Sequence, residues 1–377
     1  MTMKFKLQNF SLLLFFFFMS FASVLGFSQF NEAGLGRNVI RLFVLLATVF
    51  LMIDYIILRK IKLSSLLFIT VAFALAMVSV AITKGFGLLI LLQLVMIAKD
   101  TSMKSLLKYN TVTLLIAFLF VVFTSLVGIT DASFHDVIKN EVSFTVYRYG
   151  FGNPNAAAAV LFAIITGFNL WQRDHFSKKY LIVELLLAVF VYRVFGSRTF
   201  AATTIGYVIS IFFISYLARI KGFWRLLWPL QYFFLAASLA MLYIALNYSI
   251  LGTSWYDLDI VLSGRLSTWN MIVNYYGIHL LGTDMSTLDL GLDNGYLYLL
   301  MYTGVLSLII YNIIFYFVGK SAWRRREWMI FVTILFYSIY AFFESIPLLG
   351  SLCNILLIFG YLVLGERQKS TAQIERN

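Results

Sequence analysis

Long apolar runs recur from one end of the chain to the other, each followed by a short polar stretch. An α-helix needs about 20 such residues to cross a bilayer. On that pattern helices are expected over 10–28, 38–58, 65–83, 85–98, 111–129, 155–171, 180–195, 199–217, 226–246, 294–317, 328–345 and 348–364. Two or three of these are short for a crossing. The expected architecture is all-α, a polytopic transmembrane bundle of about twelve helices. It forms one integral membrane domain over residues 1–377 with no internal repeat. Two connections are longer than turns, one at 130–154 and a larger one at 247–293. The second is too small to hold a core of its own.

The stretch from Ser263 to Gly304 interrupts the apolar pattern most strongly. It carries Arg265, His279, Asp284, Asp289 and Asp293 before the chain turns apolar again. Leu266, Trp269, Ile272 or Val273, and Tyr276 recur at helical spacing, with Ser263 as a candidate N-cap and Gly277 as a candidate stop. This predicts a short helix lying on the membrane surface with its aromatic side in the headgroups. At the other end of the chain, Lys4 and Lys6 precede a long apolar run with no small-x-small cleavage site after it. That segment reads as an uncleaved first helix.

Composition narrows the class. The chain is 61% hydrophobic and 12% charged, which no soluble domain matches. One cysteine, Cys353, and three histidines exclude an intrachain disulfide framework and make a Cys- or His-based metal site a poor expectation. The net charge of +12 would point a soluble protein toward nucleic acid. Here it follows from basic loops instead. With the N-terminus inside, the inner loops hold Arg59, Lys60, Lys62, Lys99, Lys104, Lys108, Arg173, Lys178, Lys179, Arg219, Lys221, Arg225, Lys320, Arg324, Arg325 and Arg326. With both termini added, about 21 of the basic residues face the cytoplasm. Both termini are therefore expected inside and both long loops outside.

The few outward basic residues are then informative. Arg193 and Arg198 flank a tight turn, Phe195-Gly196-Ser197, and Arg198 opens a helix. Arg148 precedes Gly150-Phe151-Gly152-Asn153-Pro154-Asn155, where Asn153 can cap and Pro154 can take the first helical position. Arg265 opens the surface helix. A helix N-terminus with an adjacent guanidinium suits a phosphate or diphosphate. Ordinary anionic lipid heads or nearby acids are the alternative partners. Asp293 lies beside Asn294, Gly295 and Tyr296 at the entrance of the next helix, placed to bind a sugar hydroxyl or take its proton. Asn153, Asn155, Asn294 and Tyr296 are the neighbouring candidate sugar contacts. His279 is a second candidate base, but an unbroken helix would put it ~21 Å from Arg265. The charges inside helices, Arg41, Asp54, Glu184, Arg193 and Glu344, all lie near an interface and are expected to snorkel. None is at mid-membrane, where ion-coupled transporters usually keep a carboxylate.

These motifs carry a resemblance. Gly150-Phe151-Gly152-Asn153-Pro154-Asn155, then Gly196-Ser197-Arg198-Thr199, then Gly264-Arg265…Trp269 and Asp293-Asn294-Gly295-Tyr296-Leu297…Gly304 resemble, in order, the Wzy-type polysaccharide polymerase and O-antigen ligase superfamily. The likeness covers roughly residues 145–305. It implies a GT-C-like membrane glycosyltransferase working on undecaprenyl-diphosphate-linked oligosaccharide at the outer face of a bacterial cytoplasmic membrane. It implies no cofactor: no nucleotide sugar and no obligatory metal. Arg198 and Arg265 would hold the lipid diphosphate, assisted by Arg148 and Arg193. Ligases that attach chains to the lipid A core have His where this chain has Asp293, which favours a polymerase over a ligase. The expected partners are the lipid-linked oligosaccharide, membrane lipid, a flippase and a chain-length regulator, with no nucleic acid. A lipid-linked oligosaccharide flippase is the alternative class.

Overall fold

The computed structural model describes residues 3–32, 35–58, 63–98, 101–131, 134–139, 142–220, 222–250, 252–262, 264–285 and 292–364. The first half of the bundle contains α1 (Met3–Leu25), α2 (Gln29–Glu32), α3 (Leu35–Met52), α4 (Leu63–Thr83), α5 (Gly87–Ala98) and α6 (Met103–Leu126). A hairpin follows, β1 (Phe134–Lys139) and β2 (Val142–Tyr147), then α7 (Pro154–Trp171), α8 (Lys178–Phe195) and α9 (Arg198–Leu217). The rest comprises α10 (Phe223–Leu227), α11 (Phe233–Asn247), α12 (Thr253–Val261), α13 (Arg265–Tyr276), α14 (Gly295–Tyr298), α15 (Gly304–Arg325), α16 (Trp328–Phe343) and α17 (Asn354–Phe359).

Among the described residues seven helices are long and apolar enough to cross a membrane. They are Leu7–Leu25, Gly36–Tyr55, Met103–Leu126, Pro154–Trp171, Arg198–Leu217, Phe223–Asn247 and Gly295–Arg325. Three shorter apolar helices accompany them, Ile69–Thr83, Gly87–Ala98 and Trp328–Phe343. The molecule is thus a polytopic helical membrane protein, but twelve full crossings are more than these lengths carry. Helix α8 includes Lys178, Lys179, Glu184 and Arg193. Helix α17 is only six residues before a π turn at Gly360–Leu364.

The first long connection is not all loop. β1 and β2 pair antiparallel, Phe134 opposite Tyr147 and Lys139 opposite Val142. The alternation in Val142-Ser143-Phe144-Thr145-Val146-Tyr147 is strand-type, rich in β-branched and aromatic residues. A backbone bridge then joins this region to the segment after α1: Gln29 N donates to Gly150 O at 2.9 Å, and Gly152 N donates to Phe27 O at 3.0 Å.

Helix α7 shows how sequence positions the centre of the bundle. Asn153 Oδ1 accepts from Asn155 N at 2.8 Å and Pro154 takes the first turn. Ala156 to Ala159 are all buried. Small residues there and at Gly167 let α6 approach closely. Below them Phe162, Tyr207, Tyr337 and Tyr340 form an edge-to-face aromatic cluster.

Two expectations change in the last third. The chain between α16 and α17 was expected to be a tight turn between two spans. Instead 344–353 is irregular, with two 3-10 turns, and mostly buried. Its carbonyls are met by side chains: Tyr311 OH donates to Leu348 O at 2.8 Å, Asn110 Nδ2 to Ser351 O at 2.8 Å, and Tyr337 OH to Leu352 O at 2.7 Å. The surface helix α13 also differs. Leu266, Trp269, Ile272 and Val273 are buried against the bundle, with Trp269 edge-on to Phe342 at 5.6 Å, so its aromatic side does not face headgroups. Gly277 does end the helix, at φ 70°.

Beyond Gly277 the chain runs into a break in the next long helix. Val305 N donates to His279 O and Leu306 N to Leu280 O, both at 3.1 Å, while Thr283 N donates to Met301 O at 2.8 Å. Gly304 sits at this crossing with φ +89°, and a Cβ there would overlap the Leu280 carbonyl. Gly304→Ala should therefore destabilise the protein by roughly 1–3 kcal/mol. Gly252→Ala, at φ +81° but with open space around it, should cost less. Thermal unfolding of the purified protein in detergent reads the order of the two, and an equal fall would remove the steric argument.

Candidate functional site

The bundle has one strongly basic end. The C-terminal end of α7 lies there, where Arg173 pairs with Glu327 at 3.6 Å. The α9–α10 turn meets the end of α15 at the same level, through Trp323 Nε1 to Trp224 O at 2.6 Å. At the opposite end the N-termini of α7, α9, α13 and α14 gather around the last residue of α16's turn, Glu344.

Helix α13 is fixed from outside itself. Ser263, expected to cap it, lies outside the described residues. Gly264 occupies the N-cap position with φ 76° and supplies no side chain. The acceptor comes from α12: Asp259 Oδ1 takes Leu266 N at 2.7 Å, and both carboxyl oxygens lie 3.3 Å from Ser267 N. Tyr248 OH donates to Asp259 Oδ2 at 2.9 Å. Burial works against ionising Asp259, but these hydrogen bonds outweigh it and hold its pKa below the usual carboxylate value. A negative charge at the helix's positive end is also favourable.

Arg265, held this way, reaches two acids. Its Nη2 lies 3.4 Å from Asp293 Oδ2 and 3.7 Å from Glu344 Oε1. Asn155 Nδ2 donates to the same Glu344 oxygen at 3.0 Å, and the Thr199 side chain lies close enough to the Glu344 carboxyl to favour its charged form. The starts of α7, α9 and α13 thus converge on one carboxyl group, and Asp293, two residues before α14, joins them through Arg265. Glu344's side chain is 3% exposed and Asp293's 39%, so Asp293 is the acid that solvent reaches. Burial, and then the charge of Asp293, raise the Glu344 pKa to about 8 against the pull of Arg265 and Thr199.

The two other arginines approach from the side. Tyr149 packs edge-on against Phe195 at 5.8 Å, and a Cβ on Gly196 would lie 3.0 Å from Val146 Cγ2. These contacts bring the chain around Arg148 beside the chain around Arg198. Arg148 Nε is buried without a hydrogen-bond partner among the described residues. Arg198 is exposed at the first position of α9, makes no ion pair among the described residues, and precedes the Thr199 that lies near Glu344. Arg193 is exposed one turn earlier, on α8.

Other candidates are placed differently. Asn294 caps α14 through Leu297 N at 2.8 Å and donates to Phe342 O at 2.8 Å. Tyr296 is fully buried and donates to Ser338 O at 2.8 Å. Both side chains are thus engaged inside the bundle and turned from the sugar-binding position expected of them. Asn153 is exposed but accepts from its own helix. His279 is exposed, with Nε2 2.9 Å from Tyr276 O, beyond the far end of α13, a helix about 18 Å long. Asp284 pairs with Lys84, and Asp289 lies outside the described residues.

Glu344 is the residue that sequence reasoning passed over as a snorkelling interface charge. Its one sequence signal was the pairing of a carboxylate with Ser345 and Pro347, which ends a helix and turns the chain inward. Glu184 is also buried, where snorkelling had been expected. No family model, curated protein or solved structure matches the chain.

The raised pKa has a measurable consequence. Between pH 4.5 and about 8 the folded protein holds a proton on Glu344 that the unfolded chain releases. The native state then binds more protons than the unfolded state, so this group's stabilisation is complete below pH 4.5 and is lost as pH rises toward 8. Glu344→Gln should flatten that slope. Melting temperatures at pH 5 and pH 8, wild type against variant, read it, and a parallel fall in both proteins would assign the slope to another group.

Proposed function

We propose that this chain is a membrane glycosyltransferase that joins lipid-diphosphate-linked oligosaccharide repeat units on the outer face of a bacterial cytoplasmic membrane. The reading is supported chiefly by the meeting of Arg265 with Asp293 and Glu344, beside an Arg198 that has no ion-pair partner among the described residues. An anion cradle and a solvent-reached carboxyl in one place suit the departure of a diphosphate and the arrival of a hydroxyl. The resemblance to Wzy-type polymerases points the same way.

The donor's diphosphate lies against Arg265 and Arg198, with Arg148 alongside. A hydroxyl of a second lipid-linked unit attacks the anomeric carbon. The new glycosidic C–O bond forms as the bond to the diphosphate oxygen breaks, and the diphosphate leaves with that electron pair. Guanidinium groups and helix N-termini stabilise the charge that develops on it. The hydroxyl proton passes to Asp293, the more exposed acid. Glu344 holds its own proton at neutral pH, accepts from Asn155, and keeps Arg265 and Asp293 in place. The orientation that makes this end external follows from the basic loops at the other.

Two experiments test this reading. For orientation, a cysteine at Ser254 should react with an impermeant thiol reagent on intact cells and one at Ser321 should not; labelling at Ser321 reverses the sidedness and removes the external site. For chemistry, purified protein given only short lipid-linked repeats should build a ladder without nucleotide sugar, ATP or an ion gradient. Arg198→Ala and Arg265→Ala should each abolish the ladder, and Lys should rescue poorly because it cannot form the bidentate fork. Asp293→Asn should lower kcat more than it weakens donor binding. A protein that only moves lipid-linked sugar across liposomes is a flippase, and the polymerase reading then fails.

A further inference from the structure

The opposite end of the bundle holds a second feature that the reaction does not use. The turn after α9 and the end of α15 enclose a cavity of about 650 Å³. Four arginines line it, Arg219 and Arg225 on one wall and Arg324 and Arg326 on the other, together with Trp224 and Trp323. Among the described residues no carboxylate lines it, and none of the four arginines makes an ion pair. The nearest acid in sequence, Glu327, pairs with Arg173 instead, at 3.6 Å. The Arg219 guanidinium lies 6.0 Å from the centre of the Tyr216 ring.

The frame of the cavity is built, not frayed. Trp224 Nε1 donates to Ala218 O at 3.2 Å, and Trp323 Nε1 donates to Trp224 O at 2.6 Å. The first bond closes the turn on itself and the second ties it to the end of α15. Arg326 ends α15 at φ 57°, in the left-handed region where glycine is the usual residue. Keeping a long cationic side chain there costs about 1 kcal/mol of backbone strain. Nothing in the packing needs that side chain, because it is exposed. Its guanidinium is what the strained position retains.

Four guanidinium groups around one cavity with no acid among the described residues repel one another unless an anion joins them. We infer that this cavity binds the phosphate of an anionic lipid headgroup. Guanidinium forks match phosphate oxygens. The two tryptophans place the cavity at headgroup depth, where indoles concentrate, and basic pockets between helices at a membrane's cytoplasmic side suit such heads. The inference concerns a site at the end away from Arg265 and is independent of the proposed reaction.

The test uses full-length protein in nanodiscs of mixed phosphatidylcholine and phosphatidylglycerol, with retained lipid measured after purification. Wild type should retain phosphatidylglycerol preferentially. Arg219→Gln with Arg324→Gln should weaken that preference roughly fivefold per arginine removed. Lys104→Gln with Lys179→Gln makes the same charge change at the same end of the bundle but outside the cavity, and should keep the preference. Arg326→Gly relieves the backbone strain, so it should fold at least as well as wild type yet retain less phosphatidylglycerol. Equal retention in wild type and the cavity variants overturns the site, as does an equal loss in the lysine control. Inorganic diphosphate that binds the cavity with no preference for phosphatidylglycerol over phosphatidylcholine overturns the lipid assignment.

Discussion

A peptide carbonyl or amide surrounded by hydrocarbon has only its own protein to bond with, and leaving it unpaired is costly. Two irregular stretches among the described residues are organised by that constraint. Where α16 ends and 344–353 wanders, Tyr311, Asn110 and Tyr337 reach across to its carbonyls. Asn354 then closes a buried network, donating to Ala163 O at 2.8 Å and receiving Asn110 Nδ2 at 3.0 Å. Where the long helix breaks at Gly304, the chain after α13 supplies the missing backbone partners. These interior polar residues let the backbone leave the helix, while others such as Thr333 and Ser338 bond carbonyls one turn back in their own helix.

Leaving the helix is also what makes a site. An unbroken helix at 344 would point its glutamate wherever the heptad dictated. Because the chain bends there, Glu344 turns back over the bundle, bonds Asn155, reaches Arg265 and lies near Thr199. Its burial then sets its protonation. The arginine is placed with equal indirection, since Asp259, on a different helix, holds the turn that carries it.

Much of this was legible in the sequence. Apolar runs gave the helices, because lipid leaves no other use for twenty such residues. Asn153-Pro154 and Ser197 announced the starts of α7 and α9, and Gly277 the end of α13, because capping is local chemistry. Arg148, Arg198 and Arg265 were conspicuous because few basic residues lie outside the strongly basic loops, and Asp293 for its place at a helix entrance. What could not be read was long-range. Asp259 caps a helix from several residues upstream across a glycine. Trp269 belonged equally to a membrane surface or to a bundle until Phe342 was seen beside it. Glu344 lies at a helix end, where a carboxylate is ordinarily solvated, and only the fold of 344–353 shows that it is not. Short helices such as α17 carry the apolar content of a span without its length.

The irregular segment at 344–353 also sets an order of events during synthesis. Asn155, Thr199, Arg265 and Asn110 all leave the ribosome before it does. Until Glu344 arrives, Arg265 faces Asp293 alone, and the carbonyl-seeking side chains of α6, α15 and α16 wait for a partner that has not been made. The segment cannot rest in lipid, so it enters a cleft already shaped by its predecessors. Among the described residues only α17 and the π turn after it follow, so the segment that completes this cluster of side chains is among the last parts of the bundle to be made.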